Sequence, residues 1–171
     1  MSRITPLLGH TPTVGEECFL SSSAEIIGDV KIGNRSSIWY NVVIRGDVMP
    51  IRIGNEVNVQ DGTVMHGTHQ QFGVTLEDRV TIGHSVVLHG CHVGRESLIG
   101  MGSIVMDGVK VGARCLVGAG SLCTPGSEFP EGHLVLGRPA KAIRPLKPEE
   151  LANLSQSADN YLLYKTWYGG E

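Results

Sequence analysis

Histidine is the residue type whose spacing in this chain suggests chemistry. Five of the seven histidines lie between His66 and His92, and His84 and His89 are separated by four residues. Three neutral imidazoles that leave a fourth position open are typical of a catalytic rather than a structural zinc site. The alternative is that each histidine is a hydrogen-bonded surface residue. The choice depends on whether the fold brings His66, His84 and His89 together.

A six-residue repeat predicts the elements that carry these histidines. An aliphatic residue recurs with this period, and a glycine follows it in many repeats. The repeated positions are Val14, Leu20, Ile26, Ile32, Ile38, Ile44, Ile53, Val59, Met65, Leu76, Ile82, Leu88, Val93, Ile99, Val105, Val111, Val117 and Cys123. An inward aliphatic residue followed by a tight turn fits a short strand, and hexapeptide periodicity is typical of a parallel β-helix. Three hexapeptides make one triangular coil, and successive coils stack about 4.8 Å apart.

The rest of the sequence agrees with one domain of this kind. The chain has 171 residues, with 23 glycines and only 5% aromatic residues, so a core built on Phe and Trp is not expected. From Lys147 to Lys165 the pattern becomes helical, with Pro148 early and two acidic residues in the first turn. We therefore predict an all-β fold, with a β-helix domain at residues 1–146 and a C-terminal helix at residues 147–171 packed on its outside.

Composition argues against several functional classes. The net charge is −3, which does not provide the basic surface of a nucleic-acid-binding protein. No apolar run approaches the roughly 20 residues that span a membrane, and the N-terminal segment lacks the apolar core of a secretory signal. The four cysteines, Cys18, Cys91, Cys115 and Cys123, form no C-x-x-C pair. We therefore predict reduced thiols and a cytoplasmic protein that binds neither membrane nor nucleic acid.

The coil geometry predicts where the histidines lie. His66 and His89 each follow the third aliphatic position of successive coils, so they should stack. His84 lies on a different side of the triangle and cannot easily join them within one chain. In a three-fold oligomer, two histidines of one copy and one of its neighbour could surround a metal.

Charged residues occupy the equivalent positions of neighbouring coils, in line with these histidines. Asp61 lies one coil before His84 and could orient its imidazole, or it could pair with Arg45 of a neighbour. Arg45 lies one coil before His66, and with Asp47 it could form a purely structural ion pair.

These residues resemble a known family. RGD at 45–47, QD at 60–61, His66 and HSVVLH at 84–89 are similar to the gamma-class carbonic anhydrase family, and to its bacterial branch of small carbonic-anhydrase-like proteins. The resemblance extends to GMGSIVMDG at 100–108 and SADNY at 157–161. It implies a left-handed β-helix, a homotrimer, and a zinc site at each interface that could instead hold iron or cobalt.

The resemblance also implies a role for each residue. His66 and His89 would bind the metal from one subunit and His84 from the next. Arg45, with Asp47 or Asp61, would bridge subunits. Gln60 would form a hydrogen bond near the water on the metal, and Tyr161 or Asn160 of the terminal helix would reach the site. The candidates for catalytic roles are therefore Gln60, Arg45, Asp61 and Tyr161.

The reaction that the resemblance implies is reversible hydration of CO2 to bicarbonate by a metal-bound hydroxide. Well-studied active members carry acidic proton shuttles just after the RGD motif and in a loop after the first histidine. This chain has Val48 and the uncharged segment HQQFGVT at 69–75 instead. His69 could carry protons or simply anchor that loop. A metal-dependent thioesterase or other hydrolase, an acyltransferase on the same scaffold, and a non-catalytic scaffold protein are the alternatives.

Overall fold

The computed structural model describes residues 3–168, most of which form short strands joined by tight turns. The strands are β1 Arg3–Thr5, β2 Thr13–Val14, β3 Phe19–Leu20, β4 Glu25–Ile32, β5 Ser37–Ile38, β6 Val43–Ile53, β7 Asn58–Val59, β8 Val64–His66, β9 Val74–Leu76, β10 Thr81–Ile82, β11 Val87–His89, β12 His92–Val93, β13 Leu98–Ile99, β14 Ile104–Val105, β15 Lys110–Val111, β16 Leu116–Val117, β17 Leu122–Cys123, β18 Glu128–Phe129, β19 His133–Gly137 and β20 Ala140–Pro145. The chain ends in the helix α1, Pro148–Tyr164, and a 3-10 helix at Lys165–Trp167.

The strands pair in parallel from coil to coil, which makes three rows around the solenoid. One row runs β3-β5-β7-β10-β13-β16-β19. The long strand β6 turns a corner, so that β8, β11, β14 and β17 continue one row from it and β9, β12, β15 and β18 continue the third. The predicted parallel β-helix of hexapeptide repeats, with a C-terminal helix, is therefore confirmed.

The interior of the solenoid is filled by the repeated aliphatic positions. Sixteen of the eighteen are buried, and the other two, Val14 and Leu20, pack half-buried at the N-terminal end. Burial of an aliphatic side chain of this size contributes roughly 1.5–3 kcal/mol. Because the same position is buried in every coil, the register between coils is strongly specified, and the outward side chains next to it take fixed places.

The C-terminal region closes the solenoid and packs along it. Strand β19 pairs in parallel with β16 as the last turn of the solenoid, and the chain then returns as the antiparallel strand β20. The predicted C-terminal helix is confirmed, and Pro148–Tyr164 lies within one residue of each end of the helical pattern at Lys147–Lys165. Its Leu154 and Ala158 are buried. The predicted domain limits include residues 1–2 and 169–171, which lie outside the described residues.

An arginine at one corner of the solenoid fixes the helix. Arg79 Nη2 donates to Asp159 Oδ1 at 2.7 Å and to the Ser155 carbonyl at 3.3 Å. Its other nitrogen, Nη1, donates to Glu56 Oε2 at 2.5 Å. The helix is thus attached to the coil of Arg79 by charged hydrogen bonds as well as by its apolar face, and Glu56 of the preceding coil holds Arg79.

None of the four cysteines is in a disulfide, and three of them, Cys91, Cys115 and Cys123, are buried. Burial raises the pKa of Cys91 to about 12, so this thiol stays protonated. Within residues 3–168, no helix has the length and apolar character needed to cross a membrane.

Candidate metal centre

Two of the candidate ligands meet at the ends of neighbouring strands. His66 ends β8 and His89 ends β11, and the two residues are directly paired in the parallel register. His66 Nδ1 lies 3.2 Å from His89 Nε2, and the ring centroids are 5.2 Å apart. The predicted stacking of these histidines one coil apart is confirmed.

An aspartate holds each of these imidazoles on the side away from the other. His66 Nε2 lies 2.9 Å from Asp47 Oδ1, and His89 Nδ1 lies 2.9 Å from Asp107 Oδ1. Ionised carboxylates only accept hydrogen bonds, so the ring nitrogen facing each aspartate carries the proton. When both imidazoles are neutral, His66 Nδ1 and His89 Nε2 therefore present their lone pairs to each other.

This donor pair fits a metal ion. Two lone pairs at 3.2 Å repel each other unless a cation lies between them. Two nitrogens bound at 2.0–2.1 Å to one tetrahedral zinc ion are about 3.3–3.4 Å apart, so the observed separation is close to that of metal ligands. Imidazole also suits iron and cobalt, so the donors by themselves do not select zinc.

Asp47 is held in its ionised form. Burial by itself would raise its pKa, but hydrogen bonds from Arg45 and His66 outweigh burial and bring the pKa below its usual value. Arg45 forms an ion pair with Asp47 within the same chain. The structural ion pair considered from the sequence therefore exists, and a bridge from Arg45 to another subunit remains a prediction.

His84 lies on a different row and has an aspartate of its own. It occupies the turn after β10, where its Nδ1 is 2.9 Å from Asp61 Oδ2. The backbone N–H of Tyr40 donates to the other carboxylate oxygen at 3.3 Å. This half-exposed histidine thus has Asp61 at ion-pair distance from its Nδ1. Asp61 is close enough to orient His84, and this role remains a prediction.

Within residues 3–168 of one chain, no set of three or more His, Cys, Asp or Glu side chains is grouped to hold a metal ion. His66 and His89 provide two converging nitrogens on one row, and His84 lies on another. The chain by itself therefore brings together two of the three predicted ligands.

Gln60 and Tyr161 occupy different surroundings. Gln60 is buried, and its Nε2 donates to Asn58 Oδ1 at 3.1 Å. Tyr161 packs edge-on against Trp39, with ring centroids 5.5 Å apart, and borders a cleft of ≈ 240 Å³ that also contains Asp61 and His84. Burial raises the pKa of Tyr161 to about 12, so its hydroxyl can donate a hydrogen bond throughout the neutral range.

The other helix candidate, Asn160, accepts a hydrogen bond from Gln156 within the helix at 3.0 Å.

Asp107 is the residue at this centre that the sequence analysis missed. Its position one coil after His89, inside the GMGSIVMDG segment, is the signal that could have found it. Its second oxygen, Oδ2, accepts from Thr68 Oγ1 at 2.9 Å. His69, in the same loop as Thr68, is exposed.

Comparison with known proteins agrees with the fold. The family described as Bacterial transferase hexapeptide (six repeats) matches residues 11–46 and 90–125. A solved hexapeptide transferase family protein from Anaplasma phagocytophilum superposes with a TM-score of 0.93 at 42% identity, covering 98% of each chain.

Two relatives are similar to this chain over most of their own length. The chain is 46% identical over 163 residues to Protein YrdA of Escherichia coli, covering 92% of this chain and 89% of that protein. It is 42% identical over 165 residues to a carbonic anhydrase of Geobacillus kaustophilus, covering 96% of this chain and 90% of that enzyme. The chain belongs to the gamma carbonic anhydrase family of hexapeptide-repeat proteins, in the branch that includes YrdA.

Proposed function

We propose that this protein is a metal-dependent enzyme of the gamma carbonic anhydrase type, which reversibly hydrates CO2 to bicarbonate as a cytoplasmic homotrimer. The observation that carries the proposal is the pair of lone-pair nitrogens, His66 Nδ1 and His89 Nε2, facing each other at 3.2 Å. The proposal is also supported by the similarity of nearly the whole chain to the Geobacillus carbonic anhydrase.

The proposed metal site is completed between copies. His66 and His89 of one copy would bind the ion together with His84 of the next, leaving one position open. A bound zinc, iron or cobalt ion would supply a Lewis acid that makes water nucleophilic near neutral pH.

The protein's own contribution is orientation. Three aspartates, Asp47, Asp61 and Asp107, each lie 2.9 Å from the histidine they hold. Such carboxylate–histidine pairs fix the tautomer of a metal ligand and increase its basicity. Tyr161 borders the cleft beside His84, and we propose that its hydroxyl donates a hydrogen bond to bicarbonate there.

An apolar surface beside the histidines supports assembly. Val64 and Val87 point outward from β8 and β11 on the same row as His66 and His89, and each is more than a third exposed. Met106 is similarly exposed after the next strand in that row. An apolar patch next to an incomplete site favours association of copies at that place.

A second candidate function is supported by the cleft beside His84. Its walls include Trp39, Tyr164 and Trp167, and its volume of ≈ 240 Å³ exceeds what CO2 requires. A metal-dependent thioesterase or other hydrolase would use the same ligands and place an acyl group against these rings. An acyltransferase on the same scaffold would also accept such a group. The replacement of the usual proton-shuttle positions by Val48 and the uncharged loop 69–75 also favours these alternatives.

Stopped-flow measurement of CO2 hydration tests the proposal. The protein is assayed at quantified metal content in concentrated imidazole buffer, which can replace an internal proton shuttle. We expect activity above the buffer blank, lost in His84→Ala and retained in His92→Ala, whose histidine pairs with Glu77 away from the site. No activity at full metal occupancy would contradict CO2 hydration. Hydrolysis of acetyl-CoA, followed by thiol release, would then test the thioesterase.

A further inference from the structure

Asp107 connects a candidate metal ligand to a loop. One oxygen, Oδ1, lies 2.9 Å from His89 Nδ1, and the other, Oδ2, accepts a hydrogen bond from Thr68 Oγ1 at 2.9 Å. Asp107 lies 18 residues after His89, while Thr68 lies 39 residues before Asp107. One carboxylate therefore links segments from three places in the chain.

The loop at 67–73 is closed on itself and folded over the corner beside His89. Thr68 and Phe72 exchange backbone hydrogen bonds of 2.9 and 3.1 Å. The Phe72 ring lies over the next corner, where a Cβ built on Gly108 would be in van der Waals contact with its Cε1 at 3.4 Å. The loop therefore has a defined position, and Thr68 is its polar contact with the candidate centre.

Gly90, directly after His89, makes the approach of Asp107 possible. A Cβ at this position would overlap the Asp107 carboxylate and lie 2.6 Å from the Phe72 Cβ. The φ of +59° at Gly90 also favours glycine. The backbone next to His89 is thus shaped to admit both the carboxylate and the loop.

We propose that Asp107 is a positioning residue that fixes the tautomer of His89 and couples this ligand to the loop at 67–73; this inference rests on the proposed metal function. The His89 side chain is 37% exposed, so its ring could rotate or change tautomer without a fixed partner. By accepting from Nδ1–H, Asp107 presents the lone pair of Nε2 toward His66. Through Thr68, the same carboxylate ties the place of the loop to the orientation of that ligand.

Nitrogen-15 NMR of the histidine rings in metal-free protein tests the tautomer. We expect His89 to be protonated at Nδ1 in the wild type. In Asp107→Asn the amide can donate to Nδ1, and a substantial population protonated at Nε2 should appear. Asp107→Glu should restore the Nδ1–H form. The matched control is Asp29→Asn, because Asp29 pairs with Arg52 instead of a histidine. A purely structural Asp107 would leave the His89 tautomer unchanged in Asp107→Asn, which would overturn the proposal.

Zinc affinity, measured by competition with a chelator, tests the consequence for the ligand. Loss of a carboxylate partner weakens metal binding about 10–100-fold, and we expect this for Asp107→Asn but not for Asp29→Asn. Equal affinity of Asp107→Asn and wild type would overturn the inference. Failure of the wild type to bind zinc would instead overturn the proposed function, and the NMR result would still decide the role of Asp107.

The loop coupling is tested with Thr68→Val, which removes one hydroxyl and leaves the carboxylate in place. We expect faster amide hydrogen exchange at Phe72 and an unchanged His89 tautomer. This mild substitution also keeps the proposal testable if Asp107→Asn does not fold. Exchange at Phe72 equal to that of the wild type would show that Thr68 does not hold the loop, and would overturn the coupling.

Discussion

His66 Nδ1 and His89 Nε2 face each other at 3.2 Å across two strands that are paired residue for residue. The two histidines are 23 residues apart in the chain, and the segment between them includes one coil and the loop that projects after His66. The buried neighbours Met65 and Leu88 fix the register, and the aspartates Asp47 and Asp107 fix the rings. A site built in this way depends on core packing as much as on its polar residues.

Removal of the third histidine tests the ligand set. We expect His84→Ala to lose bound metal, because only two converging nitrogens remain at each site, and to stay a trimer, because His84 is half-exposed and its loss leaves the core intact. Mass spectrometry of the metal content and of the native oligomer measures both. His92→Ala serves as the control and should keep its metal. Full metal content in His84→Ala would exclude the proposed ligand.

Loss of Arg45 should weaken the proposed trimer. Arg45 pairs with Asp47, which also holds His66, so Arg45→Ala disturbs the surface around the candidate site. We expect dissociation at higher protein concentration than for the wild type in sedimentation velocity. Arg35→Ala, which removes an exposed arginine paired with Glu56 at another corner, is the matched control. Identical sedimentation of Arg45→Ala and wild type at low concentration would show that this ion pair has no part in assembly.

Stability should depend on the repeated aliphatic position. Leu88 is fully buried between the coils of Met65 and Val105, so Leu88→Ala leaves a cavity in the solenoid. We expect the free energy of unfolding to fall by about 2–5 kcal/mol. Chemical denaturation measures it, and Leu163→Ala, on the exposed face of the helix, should change stability by less than about 0.5 kcal/mol. Equal effects of the two substitutions would contradict the core assignment.

The stabilisation that Glu150 contributes at the start of the helix should be lost in acid. Hydrogen bonds from Arg144 and from the backbone N–H of Lys147 lower the pKa of Glu150 to about 2 from 4.5. Because the folded pKa is the lower one, this stabilisation is present above pH 4.5 and is lost as the pH falls toward 2.

Arg144→Ala should therefore raise the pKa of Glu150 toward its ordinary value, as measured by carbon-13 NMR titration of its carboxyl group. Lys141→Ala removes an exposed cation from the same strand and is the control. An unchanged Glu150 pKa in Arg144→Ala would refute the assigned cause.

The hexapeptide period was sufficient to predict the solenoid, its buried positions and the stacking of His66 on His89. Burial at one position in every coil fixes the register, and register fixes which outward residues stack. The antiparallel strand β20 was not predicted, because a return strand at the end of a solenoid does not follow the period. The left-handed sense of the β-helix is implied by the family resemblance and does not follow from the six-residue period.

The polar side chains that pair with one another at the corners of the solenoid were harder to predict. Asp107 was missed because it lies two residues after the buried Val105, where the chain turns the corner, and periodicity does not determine the direction of corner side chains. The charged corner formed by Arg79 and Glu56 was also missed. Both have positive φ, a conformation expected of glycine, and they adopt it while paired with each other.

Mixing two defective variants tests most directly whether the metal site is shared between copies. His66→Ala and His84→Ala are each expected to lack metal. After subunit exchange, every mixed trimer contains one interface with all three histidines, so a random 1:1 mixture should recover about a quarter of the wild-type metal content. Exchange is verified by native mass spectrometry. Metal content no higher than that of the separate variants, after confirmed exchange, would contradict a site made of His66 and His89 from one copy and His84 from the next.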